Sequence, residues 1–120
     1  MQKLAKREEQ IMQALWKLQA AFIKEIIAEL PAPQPHYNTV ATIIKILEDK
    51  GFVARKSLGN AHQYYPLVSK KKYQTQELGT IVKQYFNNSH KNLVAFFAEE
   101  NQINEEELKE IIDLIKKNQS

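Results

Sequence analysis

One segment of the chain, residues 36–66, joins a helical pattern to a basic alternating pattern with a single glycine between them. The helical part has four apolar residues at the i, i+3, i+4, i+7 spacing of one buried face. These residues are Val40, Ile43, Ile44 and Leu47. Gly51 follows at a place where a helix commonly ends in the left-handed conformation. The order of these signals predicts an amphipathic helix that leads directly into a β-hairpin.

The predicted hairpin occupies the residues after this glycine. Residues 52–56 and 62–67 alternate as strands do, and residues 58–60 form a turn between them. Pro66 cannot donate a ladder hydrogen bond, so it predicts the end of an edge strand. Because neighbouring strand residues face opposite ways, the pair Tyr64-Tyr65 should place one ring under the hairpin and one at the surface.

Helical periodicity also covers most of the remaining chain. Two helices, over residues 6–18 and 23–30, precede the PAPQP segment at 31–35, which favours a stiff extended connector. After the hairpin, Ser69 can cap a helix that runs to about Phe86. Two shorter apolar helical segments follow it, the second opened by a capping box formed by Asn104 and Glu107.

These elements predict a mainly α fold with a small β-wing. Residues 1–68 are expected to form an N-terminal winged helix-turn-helix, and residues 69–120 a C-terminal helical dimerisation region. The three apolar faces of the second region exceed what so short a segment can bury alone, so we predict a homodimer. The predicted dimer contacts are Tyr85, Leu93, Phe96, Phe97, Leu108, Ile111, Ile112 and Ile115.

Composition limits the class of protein further. The 120 residues contain no cysteine, which excludes disulfides, thiolate metal sites and cysteine nucleophiles. No apolar run is long enough to span a membrane, and no apolar leader segment follows Met1. We therefore expect a cytoplasmic protein without membrane insertion.

Residues for catalysis or metal binding do not form a recognisable pattern. His36, His62 and His90 lack the paired spacing of a metal site. The sequence has no glycine-rich phosphate loop and no serine in a nucleophile elbow. We therefore expect no enzyme activity, no catalytic residue, no metal and no cofactor.

Charge is distributed unevenly along the chain. Residues 1–72 carry 12 Lys and Arg against 6 Asp and Glu, whereas residues 73–120 carry 5 against 8. Only the first part is basic, as expected for a segment that contacts a polyanion such as DNA.

The amphipathic helix predicted before Gly51 has small and hydrogen-bonding residues opposite its apolar stripe. Asn38, Thr42 and Lys45 suit the base edges of the major groove in double-stranded DNA. Arg55 and Lys56 on the adjacent hairpin suit phosphate contacts. The full set of predicted DNA contacts is Tyr37, Asn38, Thr39, Ala41, Thr42, Lys45, Arg55, Lys56 and Gln63.

Other interpretations of these residues remain open. A polar helix face is equally typical of a solvent-exposed surface without a ligand, and hairpin cations also deter the pairing of strand edges. A winged helix can also be a protein-interaction module, which would use the hairpin and the acidic C-terminal region without contacting DNA. Salt-dependent binding to DNA separates the two functions, because only phosphate contacts produce it.

Four stretches of the sequence resemble the BlaI/MecI penicillinase-repressor family. They are EEQIMQALW (8–16), YNTVATIIKILEDKGFV (37–53), HQYYPLVS (62–69) and LVAFFAEENQINEEELKEI (93–111). The first three motifs in this order are specific, and the resemblance covers nearly the whole chain. It implies a small bacterial repressor with an N-terminal winged helix and a helical C-terminal region, which binds dyad-symmetric operators as a dimer.

The resemblance also implies how the repressor is released from its operator. In well-known family members, a membrane-bound metalloprotease that senses β-lactams triggers cleavage of the repressor in its dimerisation region. Phe96 and Phe97 are the candidate cleavage region here, although members with this switch have Asn-Phe at that place. Ala41 stands where related repressors can have an arginine, which implies a different operator. The copper-responsive branch of the family is excluded, because it uses C-terminal cysteines.

Overall fold

The computed structural model describes residues 3–119 of the protein. The chain divides after Glu77 into two compact units, called here the N-terminal unit and the C-terminal unit. The division lies inside the fourth helix, whereas the sequence-based boundary lies before that helix, at residue 68.

Six helices and two strands make up the described residues. They are α1 (Lys6–Leu18), α2 (Ile23–Ala28), α3 (Tyr37–Asp49), β1 (Val53–Leu58), β2 (Ala61–Pro66), α4 (Lys70–Tyr85), α5 (His90–Glu99) and α6 (Glu105–Gln119). The strands form one two-stranded antiparallel sheet. This architecture confirms the predicted fold class, a mainly α winged helix with a helical C-terminal region.

Two element ends differ from the predicted ones for local reasons. α2 ends at Ala28 instead of Leu30, because the chain tightens: Leu30 N–H donates to the carbonyl of Ile27, three residues back, at 3.0 Å. β1 starts one residue later than predicted. Phe52 instead lies in the turn that follows α3, where its N–H donates to the Leu47 carbonyl at 2.9 Å.

The second strand of the wing, β2, forms backbone hydrogen bonds on both of its sides. β1 and β2 pair antiparallel around the two-residue turn Gly59-Asn60, in which Gly59 has a φ of +63° that suits glycine. On the other side of β2, Ala21 and Tyr64 exchange two backbone hydrogen bonds of 2.8 and 2.9 Å. β2 is an edge strand of this two-stranded sheet and ends at Pro66, which confirms the prediction, and Ala21 covers its outer side only at Tyr64.

The first three helices bury their apolar faces in one core. In α3, Val40, Ile44 and Leu47 are buried and Ile43 is half-buried, which confirms the predicted stripe. α1 and α2 contribute Ile11, Met12, Leu15, Trp16, Ile23 and Ile26. The stripe fixes the rotation of α3 about its axis, so the opposite side of the helix faces away from the core.

Glu8 is a buried carboxylate that connects α1 to the end of α3. Its two oxygens lie 2.8 and 3.0 Å from Nζ of Lys50, and Oε1 also accepts the N–H of Ala5 at 2.8 Å. Burial alone raises the pKa of Glu8, but the hydrogen bonds from Lys50 and Ala5, together with the charge of Lys50, lower it below its ordinary value. The fold therefore favours the charged form of Glu8.

This lowered pKa predicts a pH-dependent contribution to stability. A carboxylate with a lower pKa in the folded state contributes stability above its unfolded pKa and loses that contribution as the pH falls through the folded pKa. Glu8→Gln should lower the free energy of unfolding at pH 7 by about 1.5–3 kcal/mol, the range for a hydrogen bond to a charged group. It should also flatten the loss of stability between about pH 5 and pH 3.

Urea denaturation at a series of pH values measures both effects. Glu9→Gln is the matched control, because Glu9 is the next residue of the same helix turn and is only half-buried. A Glu8→Gln profile parallel to that of the unmodified protein would show that Glu8 does not act in this way.

Tyr73, near the start of α4, is packed into the N-terminal unit. Its ring centroid lies 5.8 Å from that of Trp16 and 6.0 Å from that of Phe52. Its hydroxyl accepts the N–H of Leu4 at 3.0 Å and donates to Glu77 at 3.3 Å. Burial raises the pKa of Tyr73, so the hydroxyl stays protonated and can keep both bonds at neutral pH. The core of the winged helix therefore extends past the hairpin into α4.

Local side-chain caps start the last two helices. Ser89 Oγ accepts the N–H of Asn92 at 3.1 Å at the start of α5. Before α6, Asn104 Oδ1 accepts the N–H of Glu107 at 2.8 Å, while the Glu107 carboxylate accepts the N–H of Asn104 at 3.3 Å. This reciprocal pair is the capping box that the sequence predicts.

The C-terminal unit buries little apolar surface. Val82 is buried, and the rings of Phe86 and Phe96 meet edge to face with centroids 5.6 Å apart. α5 has no buried residue, and the side chains of residues 105–118 in α6 are exposed or half-buried. Most apolar residues of this unit therefore lie at its surface in a single chain.

Candidate nucleic-acid interface

The outer face of α3 carries the three residues predicted to meet bases. Asn38, Thr42 and Lys45 are all exposed, on the side of the helix opposite the buried stripe. Thr42 Oγ1 donates to the carbonyl of Asn38 at 2.9 Å, so its hydroxyl proton is already used within the helix. Thr42 can therefore contact a binding partner only through its methyl group and the lone pairs of its hydroxyl oxygen.

The other predicted residues of α3 differ in accessibility. Tyr37 and Thr39 are exposed in the first turn of α3. Ala41 is half-buried and packs against the core, so it is the least accessible of the predicted α3 contacts. Tyr37 also borders a cleft of about 520 Å³ between the start of α2, the start of α3 and the wing. The other residues along this cleft include Phe22, Ile23, Lys24, Asn60, His62 and Tyr64.

The two wing cations, predicted to act alike, lie on opposite faces of the hairpin. Arg55 stands opposite Tyr64 in the ladder, and Lys56 stands opposite Gln63. Cross-strand partners share a face, and Tyr64 is buried, so Arg55 lies on the face towards the core. Lys56 and Gln63 share the outer face. The structure therefore brings Lys56 and Gln63 together and separates them from Arg55.

Two predicted DNA-contacting cations are paired with carboxylates at the end of α3. Arg55 Nε lies 3.5 Å from Glu48 Oε2, and Lys45 Nζ lies 3.4 Å from Asp49 Oδ1. The Lys45–Asp49 pair is exposed at both ends and contributes little in water, whereas Glu48 is half-buried. Lys56 forms no ion pair within residues 3–119. Lys56 is therefore the most available of these cations for a phosphate.

Sequence reasoning missed two residues of this region, Ile46 and Glu48. Ile46 lies one turn after Thr42 on the outer face and is 42% exposed. The sequence could have indicated Ile46, because it is an aliphatic residue outside the apolar stripe of an amphipathic helix. Glu48 had no such signal, because its partner Arg55 comes within reach only through the fold of the hairpin.

The wing tyrosines divide as the alternation predicts. Tyr64 is 8% exposed and lies under the hairpin, whereas Tyr65 is 38% exposed. Tyr64 is the inner residue, since its ring belongs to the core cluster of the N-terminal unit.

The predicted dimer contacts lie at the surface of the C-terminal unit. Leu93 and Leu108 are half-buried, and the other six are exposed. These exposed residues are Tyr85, Phe96, Phe97, Ile111, Ile112 and Ile115. The candidate cleavage region, Phe96-Phe97, lies within α5.

We searched the part of the chain that the structure describes for clusters of metal-ligating side chains and for membrane-spanning helices. Residues 3–119 contain no group of three or more His, Cys, Asp or Glu side chains close enough to hold one. None of the helices in the same range has the length and apolar character needed to cross a bilayer.

Comparison with known proteins identifies the family. The sequence model of the family described as penicillinase repressor matches residues 4–117. The chain belongs to the penicillinase repressor family. This family consists of transcriptional repressors, so the protein is a transcriptional repressor and not an enzyme, as the sequence motifs predicted.

Individual relatives of the chain agree with the family match. The methicillin resistance regulatory proteins MecI of Mammaliicoccus sciuri, Staphylococcus aureus strain N315 and Staphylococcus epidermidis are each 26% identical to it over 117 residues. Each match covers 95% of this chain and 94% of the relative.

Solved structures similar to this repressor include a double mutant of Lactococcus lactis ZitR. That structure is 15% identical, with a TM-score of 0.45, and the match covers 98% of this chain and 75% of ZitR. The apo form of the same mutant is 13% identical, with a TM-score of 0.40, over 95% of this chain and 80% of ZitR. Likeness at this level adds no argument to the family assignment.

Proposed function

We propose that this repressor binds a dyad-symmetric operator in double-stranded DNA as a homodimer, in the cytoplasm of a bacterial cell. The observation that carries the proposal is the exposed polar face of α3. It lies opposite the apolar stripe that packs into the core and next to a wing whose outer face carries Lys56. A helix with this surface fits the major groove, and a cation on the neighbouring wing can reach the backbone of the same duplex.

Each residue of the interface has a distinct role in this proposal. Asn38 has an amide that can bond adenine through two hydrogen bonds, and Lys45 can donate to guanine once it leaves Asp49. Lys56 and Gln63 contact phosphate from the outer face of the wing. Arg55 instead holds the wing against α3 through Glu48, so it positions the wing and does not bind phosphate itself.

The homodimer in this proposal is supported by the apolar surface of the C-terminal unit. Ile111, Ile112 and Ile115 lie along one side of α6 and are 37%, 48% and 50% exposed in a single chain. A second copy of the same face would cover them, and a two-fold axis would present two winged helices to two half-sites.

Selection of DNA from a random duplex library tests the function. We expect the protein to recover an inverted repeat, with half-sites about one helical turn or a multiple of it apart. Binding to that site should weaken steeply with salt, because each phosphate contact releases counterions. A protein-interaction module would recover no common sequence and would show no salt dependence.

The unequal roles of the wing cations predict unequal effects of removing them. Lys56→Ala should weaken binding to operator and scrambled DNA alike. It should lower the slope of log K against log salt by about 1.8, because each of the two copies in the dimer loses one phosphate contact. Arg55→Ala should leave that slope nearly unchanged, because Arg55 is already paired with Glu48. Filter binding or fluorescence anisotropy at four or more salt concentrations measures the slope.

The matched control for this pair is Lys17→Ala, which removes a cation from α1 that is paired with Glu29 at 2.8 Å. A slope lowered equally by Lys56→Ala and Arg55→Ala would show that both wing cations bind phosphate and that Arg55 does not act through Glu48.

We also propose that release of the operator occurs by proteolysis near Phe96-Phe97, carried out by a membrane-bound sensor metalloprotease. A protease needs an extended chain, and α5, with ten residues and none of them buried, costs little to unfold locally. A cut there would separate α6 from the rest of the chain and remove part of the proposed dimer face. Repressor cut at this bond should therefore bind operator more weakly than intact repressor.

A further inference from the structure

Ile46 is an aliphatic residue exposed on the face of α3 proposed to meet DNA. It is 42% exposed, whereas Ile43 and Ile44 of the same helix are half-buried and buried. Ile46 follows Thr42 by one turn, and Thr42 follows Asn38 by one turn, so the three side chains form a row along the outer face. The apolar core therefore does not account for an isoleucine at this position.

A single exposed aliphatic side chain needs no ligand in general. At this position, however, the major groove offers a specific apolar group, the C5-methyl of thymine. Ile46 can neither donate nor accept a hydrogen bond, so this methyl is the base feature that it can distinguish. Thr42, the neighbour in the row, has its hydroxyl proton engaged by Asn38 and retains a methyl group beside Ile46.

The helix geometry also places Ile46 away from the wing. Glu48, which bonds Arg55 of the wing, is two residues further along α3. Residues two apart on a helix point about 200° from each other. Ile46 therefore lies on the flank remote from the wing, where a base contact would be in the major groove.

We propose that Ile46 is a specificity-determining residue that packs against the C5-methyl group of one thymine in each operator half-site. This inference rests on the proposed function and adds the identity of a base to it. It follows that the operator has a thymine at a fixed position opposite the C-terminal half of α3.

Deoxyuridine tests this contact, because it differs from thymidine only by that methyl group. DNA is first selected with the unmodified protein, and each thymine of the selected site is then replaced in turn by deoxyuridine. We expect one thymine per half-site at which the replacement weakens binding by about three- to fivefold, the effect of exposing one methyl group. Ile46→Ala should bind the thymidine and deoxyuridine duplexes equally at that position.

Leu58→Ala is the matched control. Leu58 is also 42% exposed but lies on the wing, so its removal should leave the thymidine-to-deoxyuridine ratio unchanged. Deoxyuridine without effect at every thymine would overturn the proposal. So would an Ile46→Ala variant that keeps the ratio, because another side chain would then recognise the methyl group. Failure of the unmodified protein to select any DNA would instead overturn the proposed function, and this assignment with it.

Discussion

Ile112→Asp is expected to convert the repressor from a dimer to a monomer and to weaken operator binding by about 100-fold or more. Ile112 is 48% exposed in the single chain, so a monomer tolerates a carboxylate there. On the proposed dimer face the same carboxylate would be buried without a partner, at a cost of about 3 kcal/mol or more. Operator affinity falls with the dimer, because two linked winged helices bind two half-sites far more tightly than one does.

Sedimentation velocity and operator binding should change together in this variant, while binding to an isolated half-site should not. Asp113→Ala serves as the control, since Asp113 is the next residue of α6 and points about 100° away from Ile112. An Ile112→Asp protein that remains dimeric would place the contact between copies elsewhere on the chain.

Truncation after Lys72 is expected to destabilise the winged helix strongly, whereas truncation after Glu77 should leave it folded. The shorter chain loses Tyr73, whose ring fills the space beside Trp16 and Phe52 and whose hydroxyl accepts the N–H of Leu4. Removing a large buried aromatic side chain costs about 3–5 kcal/mol. A domain of this size has only about 5–15 kcal/mol of stability in total.

Chemical denaturation of the two truncated chains, followed by circular dichroism, measures this difference. Tyr73→Phe in the longer chain separates the contribution of ring packing from that of the hydroxyl hydrogen bonds, because it keeps the ring and removes only the hydroxyl. We expect it to lose about 1–2 kcal/mol, the range for buried hydrogen bonds. Equal stability of the two truncated chains would show that the winged helix is complete before α4 begins.

The features that the sequence alone determined are those set by residues close together in the chain. The spacing of Val40, Ile44 and Leu47 determined both the existence of α3 and its rotation, because a helix repeats every 3.6 residues. The capping box at Asn104 and the opposed faces of Tyr64 and Tyr65 were predictable for the same local reason. The family was likewise indicated by four motifs, each a continuous stretch of the chain.

The tertiary structure decided how these elements meet. Arg55 and Lys56 are neighbours in sequence, but only the ladder register and the burial of Tyr64 show which of them lies on the face towards the core. The ion pair between Arg55 and Glu48, and the hydrogen bond from Leu4 to Tyr73, join residues that no periodicity relates. Local patterns specify which face of an element is apolar. Which polar groups become partners depends on contacts between elements distant in sequence, and these exist only once the chain has folded.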